Sequence, residues 1–264
     1  MSEPSKKSVD RRDFMISSVA AVAGASAALA AAARTTNAED AAAQTAASGG
    51  TIYTGDVIRG KKVVSALAVD DLEAGKKHFL YFQGVQTPTG HHWYVSVVVA
   101  KGARPGKRVT LTSGVHGDEM SSIRSVQIIM DQLDPARMAG TVMAVVDISR
   151  PALESMQRRW PNSGRGIDLI DMNREWPGNE NGPTAASRHA GIVFNRLLRP
   201  NSDLAIDFHT GTTGLECDAL NIGDRTIPEV KKMIDLFPVR QVWDSPTYAG
   251  VLHTAFVKAG IPSF

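Results

Sequence analysis

Three short segments carry side chains able to do chemistry together. The first is Gly114-Val115-His116-Gly117-Asp118-Glu119. The second is Asp171-Met172-Asn173-Arg174-Glu175-Trp176-Pro177-Gly178, and the third is Asp207-Phe208-His209-Thr210-Gly211. His116 and Glu119 stand three residues apart, and on a tight turn entering a helix that spacing puts both side chains on one side. Gly114 and Gly117 allow the backbone to turn sharply there. Two histidines and a carboxylate suit zinc, and a fourth position left to water makes such a site catalytic by acidifying the water and polarising a carbonyl. Taken singly the segments are weak signals. His-x-x-Glu recurs by chance, and Asp-x-His-Thr after a strand fits a capping Asp and a satisfied histidine equally well. His91 and His92 are adjacent, so in a strand they face opposite sides and cannot easily share one ion. They are read, with His78, His189 and His253, as ordinary core or surface residues.

The elements that must position these segments are legible in the pattern of apolar residues. Ile52–Ile58, Lys62–Ala68, His78–Gln83 and Trp93–Val99 have β-like composition with turn signals between them, so residues 51–102 form a β-rich opening section. Val109–Thr112 then predicts a strand, Ser121–Leu133 a helix with Ile123, Val126, Met130 and Leu133 on its buried face, and Val142–Ile148 an apolar strand. Ala186 to Leu197 predicts a helix, Leu204–Phe208 a strand, and Ile227–Leu236 and Tyr248–Ala259 two further helices. Strands alternating with helices give an α/β fold, a mostly parallel or mixed sheet flanked by helices. In such a sheet ligands bind beyond the carboxyl ends of the strands, which is where the first and third segments fall.

The chain of 264 residues is 43% hydrophobic and 21% charged, ordinary globular composition, with a formal net charge of +2. No basic block or aromatic repeat suggests a nucleic-acid groove, so no nucleic-acid partner is expected. Cys217 is the only cysteine, which rules out an intrachain disulfide and leaves His and carboxylates as the metal donors.

In this order the three segments resemble the succinylglutamate desuccinylase/aspartoacylase family, relatives of the zinc carboxypeptidases. The resemblance runs from about Gly55 to Phe264 and is strongest from Val109 to Gly211. It implies one Zn2+ held by His116, Glu119 and His209. It also implies that Asn173 and Arg174 grip a substrate carboxylate, a task that suits a planar guanidinium. Asp171 would orient the first histidine from its other ring nitrogen. A further arginine would polarise the substrate carbonyl; Arg159 is the choice, with Arg165 next, although the spacing of Arg158-Arg159-Trp160-Pro161 departs from the family pattern. The implied activity is hydrolysis of an N-acyl amide or ester bond in a small carboxylate-bearing substrate. A carboxypeptidase-like action on peptides and an inactive zinc- and carboxylate-binding protein are the rivals. The family's general-base glutamate follows a Gly-Ile-Pro-like turn, here Gly260-Ile261-Pro262, so it is expected beyond Phe264. The catalytic domain, residues 103–264, is therefore expected to be incomplete at its C-terminus and to have little hydrolytic activity, Glu175 or Glu216 being the alternative bases.

Residues 1–38 read as an address. Arg11-Arg12 precede Phe14 and an alanine-rich run from Met15 to Ala33, resembling a twin-arginine export signal. Residues 39–50 then form a flexible linker. This implies the twin-arginine export machinery as a partner and a periplasmic or secreted protein with no stable membrane insertion after cleavage. An uncleaved membrane helix is the alternative, since about nineteen residues can span. Changing Arg11 and Arg12 to Lys is expected to hold the protein in the cytoplasm, as cell fractionation would show; unchanged export would remove the signal.

Overall fold

The computed structural model describes residues 49–161, 169–244 and 248–264. The segments expected to form an export signal and most of a linker, and Arg165, lie outside them. Among the described residues no helix is long and apolar enough to cross a membrane.

The opening strands are β1 (Ile52–Ile58), β2 (Lys61–Ala66), β3 (Lys76–Gln86) and β4 (His92–Lys101). Next come β5 (Arg104–Thr112), helix α1 (Met120–Gln132), β6 (Ala139–Val145) and the short helix α2 (Arg150–Glu154). Helix α3 (Ala185–Val193), β7 (Leu204–Asp207), β8 (Leu220–Gly223), α4 (Pro228–Asp235), β9 (Gln241–Asp244) and α5 (Leu252–Lys258) complete the series. One seven-stranded mixed sheet runs β1-β2-β3-β4-β6-β5-β7. β5 is parallel to both β6 and β7, while β4 joins β6 antiparallel. The opening strands and the later ones therefore share one sheet, as in the mixed α/β class expected from the sequence.

Burial on both faces follows the apolar pattern. Helix α1 turns Val126 and Met130 onto Leu111, Ala144 and Val146. The opposite face, under α3 and α5, packs Phe82, Val97, Val145, Ala190, Leu197 and Phe256 into the largest core cluster. Helix α4 packs Val230 and Ile234 against Phe264. The Ile261–Phe264 run lies beside β7: Ala205 N donates to Pro262 O and Asp207 N to Phe264 O, each at 3.0 Å.

β5 begins at Arg104, five residues before the expected Val109, and the helix expected to run to Leu197 ends at Val193 and passes into a π-helical turn, Phe194–Leu198. Three further elements differ from the expectation. The strand expected over 142–148 spans 139–145, because Asp147 draws Ser96 N (2.5 Å) and Ser96 Oγ (2.8 Å) onto its carboxylate and ends the ladder. The helix expected from Tyr248 starts at Leu252 because Gly250, at φ 85°, lies against the Arg174 backbone and accepts from Trp176 N at 3.0 Å. The parallel pair β8–β9 was not anticipated; each strand has four residues, too few to show a period.

The first chemical segment depends on two glycines. Gly114 has φ 68°, where a side chain is strained, and a Cβ there would meet Val146 O at 2.8 Å. A Cβ on Gly117 would lie 2.0 Å from the carbonyl carbon of Ala152, so backbone would have to move. Gly117→Ala is expected to destabilise the protein by about 2 kcal/mol or more, the scale of overpacking without a flexible neighbour. Urea unfolding of the two proteins checks this, and an unchanged midpoint would contradict the packing argument.

Candidate metal centre

Each ligand-type side chain sits just beyond the carboxyl end of β5 or β7. β5 stops at Thr112, the chain turns at Gly114, and Glu119 is the residue immediately before α1. β7 stops at Asp207, and His209 lies two residues on. Because β5 and β7 are parallel neighbours, with Thr112 opposite Asp207, both turns emerge on the same edge. His116 and Glu119 are 3% and 2% exposed, whereas the His209 side chain is 28% exposed. Only one edge of the cluster thus faces solvent.

Glu119 is the hub. Its Oε1 meets His116 Nδ1 at 2.7 Å and its Oε2 meets His209 Nδ1 at 2.8 Å. Thr210 N donates to Oε2 at 3.1 Å, and Arg158 donates to Oε1 at 3.0 Å. The two imidazoles tilt at 53° with centroids 4.9 Å apart. On their far sides both rings are held by carboxylates. His116 Nε2 lies 3.0 Å from Asp171 Oδ1, and His209 Nε2 lies 2.8 Å from Asp207 Oδ2. Asp207 is itself fixed by Thr112 Oγ1, which donates to Oδ1 at 2.7 Å. Both Nε2 atoms are thereby committed, and the Nδ1 atoms point inward with one Glu119 oxygen. One donor atom from each of His116, Glu119 and His209 lies within 4.8 Å of the others, so the group could hold a metal ion. The donor set fits, since a carboxylate behind each imidazole fixes its tautomer and sharpens its basicity as a ligand.

The electrostatics follow from burial and pairing. For Glu119, burial alone would raise the carboxyl, but hydrogen bonds from His116 and His209 outweigh it and hold it well below the usual range. For Asp171 burial acts the same way and is overcome by the hydrogen bond and charge of His116 and by the charge of Arg158. For His209 burial would lower the imidazole, yet Asp207 and Glu119 raise it to about 10.

The other anticipated residues fall out as follows. Asp171 faces His116 through Oδ1, 3.0 Å from its Nε2. Asn173 is buried, and its Oδ1 accepts from Leu252 N at 2.9 Å, which fixes the amide's orientation. Its Nδ2 lies 3.3 Å from His209 Nε2. That ring nitrogen gives its proton to Asp207, so the two donors do not bond and the amide hydrogens remain available to a ligand. Arg174 is exposed and donates to Asn173 O at 2.6 Å. Arg159 is exposed and makes no contact with the cluster among the described residues. Its neighbour Arg158 bridges Glu119 and, at 3.3 Å, Asp171 Oδ2. Glu175 and Glu216 make no contact with the group among the described residues.

Sequence reasoning missed Arg158, Asp207 and Asp118. Asp207 was visible as Asp-x-His, since residues two apart in extended chain share a side. Asp118 accepts from Thr212 Oγ1 and, at 3.0 Å, from Thr213 N, fastening the loop after His209 to the turn bearing His116. No local pattern marks that contact, which spans 94 residues. His189 is an ordinary core histidine as expected. Burial pushes it down to about 4, and its Nε2 sits 3.0 Å from Ile148 O.

Residues 105–236 match the model of the succinylglutamate desuccinylase/aspartoacylase catalytic domain. The chain belongs to this family. An N-alpha-acetyl-L-2,4-diaminobutyric acid deacetylase from Halomonas elongata is 31% identical over 119 residues, covering 45% of this chain and 32% of that protein. An aspartoacylase family protein from Mesorhizobium loti has a similar structure, with a TM-score of 0.61 at 19% identity over 82% of this chain and 64% of that one. A succinylglutamate desuccinylase/aspartoacylase from Rhodobacter sphaeroides gives 0.59 at 20% identity over 73% and 57%. These structural likenesses concern the fold. The chain spans about a third of the length of the curated relative and about three fifths of the two solved structures.

A metal ion can take His209 Nδ1 only after its proton leaves. The metal-free ring keeps that proton up to about pH 10, so uptake releases it and affinity must rise with pH. Zinc affinity is expected to climb by about tenfold per pH unit from this group across the neutral range. Removing the Asp207 charge, in Asp207→Asn, should flatten that slope. Zinc titrations with a competing chelator at several pH values measure both; a pH-independent affinity would contradict the assignment.

Proposed function

We propose that the chain is a zinc-dependent amidohydrolase of the N-acyl type, acting on a small carboxylate-bearing substrate. The observation that carries this reading is the inward pair of Nδ1 atoms on one buried carboxylate, with Asp171 and Asp207 behind the rings. Zinc held there would supply an acidified water and a polarised carbonyl. The family membership and the deacetylase resemblance support amide rather than other bonds as the target.

The chain's own residues then divide the remaining work. Asn173 presents its amide hydrogens from a fixed orientation beside His209. Arg174, exposed and free of any carboxylate partner among the described residues, takes a substrate carboxylate in a two-pronged grip. Arg158 stands closest to the metal-binding group and is the better placed of the two neighbouring arginines to steady negative charge on the substrate's carbonyl oxygen. Arg159, exposed beside it, remains a candidate for contact at the rim.

Turnover of a panel of N-acyl amino acids by the zinc-loaded protein is the test, with C-terminal peptides as the comparison. His116→Ala or His209→Ala should remove most bound zinc together with activity. Arg174→Ala should weaken an acidic ligand by about 2 kcal/mol, the scale of a charge-assisted hydrogen bond lost. Arg158→Gln should lower kcat more than it raises KM. Stoichiometric zinc in both histidine variants would refute the ligand set, and peptide cleavage without deacylation would shift the activity to the peptidase class.

A further inference from the structure

A cavity lies apart from the metal-binding group. β2 ends at Ala66, and Leu67 N turns away to donate to Arg196 O at 3.2 Å, whereas β3 runs on to Gln86. The strand edge left open forms one wall of a notch of about 360 Å3. Helix α3 and the turn after it form the other, presenting Arg188, Ile192 and Arg196 at four-residue spacing. Ser65, Gln83 and His92 line the strand side.

The Gly84–Val85 peptide beside the notch is held at both ends: Val85 N donates to His189 Nδ1 at 3.3 Å, and Gly84 O lies 2.9 Å from His92 Nδ1. The notch offers side-chain donors and positive charge. Arg188 is half-buried, donates to Gly182 O at 2.8 Å, and has no carboxylate partner among the described residues. A half-buried guanidinium held by a single carbonyl is anchored in place with most of its donors unspent. Arg196 pairs with Glu180, which also accepts from Asn195 Nδ2 at 3.3 Å and does not line the notch. Among the described residues no carboxylate lines the cavity.

We propose that this notch binds a small aliphatic dicarboxylate, one carboxylate on each guanidinium and the methylene chain over Ile192. Arg188 lies on α3 and Arg196 on the π-helical turn Phe194–Leu198 that continues it. Eight residues of continuous α-helix would span roughly 12 Å along the axis; the wider π turn shortens this, and the flexible arginines lean inward, a span that suits two charges on a short spacer. The volume is at the small end of ligand sites. The planar forks of the two arginines match carboxylates in pairs, and Ser65 and Gln83 add donors opposite. This site is independent of the hydrolase reading, since none of His116, Glu119, His209, Asn173 or Arg174 lines it.

Calorimetric titration of the metal-free full chain with adipate, and with propionate as the single-charge comparison, tests the proposal. Adipate should bind saturably at one site and propionate far more weakly. Arg188→Gln and Arg196→Gln should each weaken adipate by about tenfold or more, a factor that corresponds to about 1.4 kcal/mol, with unchanged thermal melting. Ser65→Glu, which places a negative charge in the notch, should abolish binding and serves if an arginine variant folds poorly. The zinc-loaded chain should bind adipate as the metal-free chain does. Absence of saturable binding, equal affinity in the Arg188→Gln protein, or a change of adipate affinity on loading zinc would each overturn the assignment, the last by moving the ligand to the metal-binding group.

Discussion

A carboxylate that is 2% exposed has to be compensated on every side, and the arrangement around Glu119 can be read as the answer to that requirement. Each oxygen of Glu119 receives an imidazole nitrogen. One also receives a guanidinium and the other a backbone amide. These four donors come from three places in the sequence, at 116, at 158 and at 209–210. The buried charge is thus satisfied only when β5, β7 and the segment after α2 are all in register. An unpaired carboxylate at this depth would cost several kcal/mol, so the same interaction that makes the site also selects the fold that contains it.

Charge balance explains why such a cluster suits a divalent cation. Glu119, Asp171 and Asp207 bring three negative charges together. In the metal-free protein the protonated His209 and Arg158 offset two of them. Three carboxylates gathered on two imidazoles and one guanidinium form a set of donors whose charge a divalent ion would help to balance.

How much of this the sequence showed depends on the range over which each feature is set. Local features were legible. The period of Val126 and Met130 located α1, and the apolar run Leu204–Phe208 located β7, because burial of one face leaves a regular trace in the chain. The three motif segments were legible together, since their order and residue types narrow the chemistry. Features set by contact across long separations were not. Choosing between Arg158 and Arg159 requires knowing which way the chain faces after α2, and two adjacent residues look alike until that is fixed. The bond from Thr213 N to Asp118 and the position of β8–β9 likewise depend on packing rather than on any local pattern.

The site also draws on parts of the chain outside the matched segment 105–236. Asn173 is aimed by Leu252 N at the start of α5, and Trp176 is bridged to Gly250 at 3.0 Å. A side chain at Gly250 would press on the Arg174 backbone at 2.3 Å. The second motif segment is therefore clamped from the C-terminal side by residues that carry no chemistry themselves. β7 is braced in the same way, with Pro262 and Phe264 accepting from Ala205 and Asp207. Because Asp207 in turn holds His209, the position of a ligand nitrogen is tied through two hydrogen bonds to the packing of Phe264 against Phe237, whose rings meet edge-on at 5.1 Å. Loosening that aromatic contact would free the backbone of β7 at the point where the His209 turn begins, without touching any donor atom.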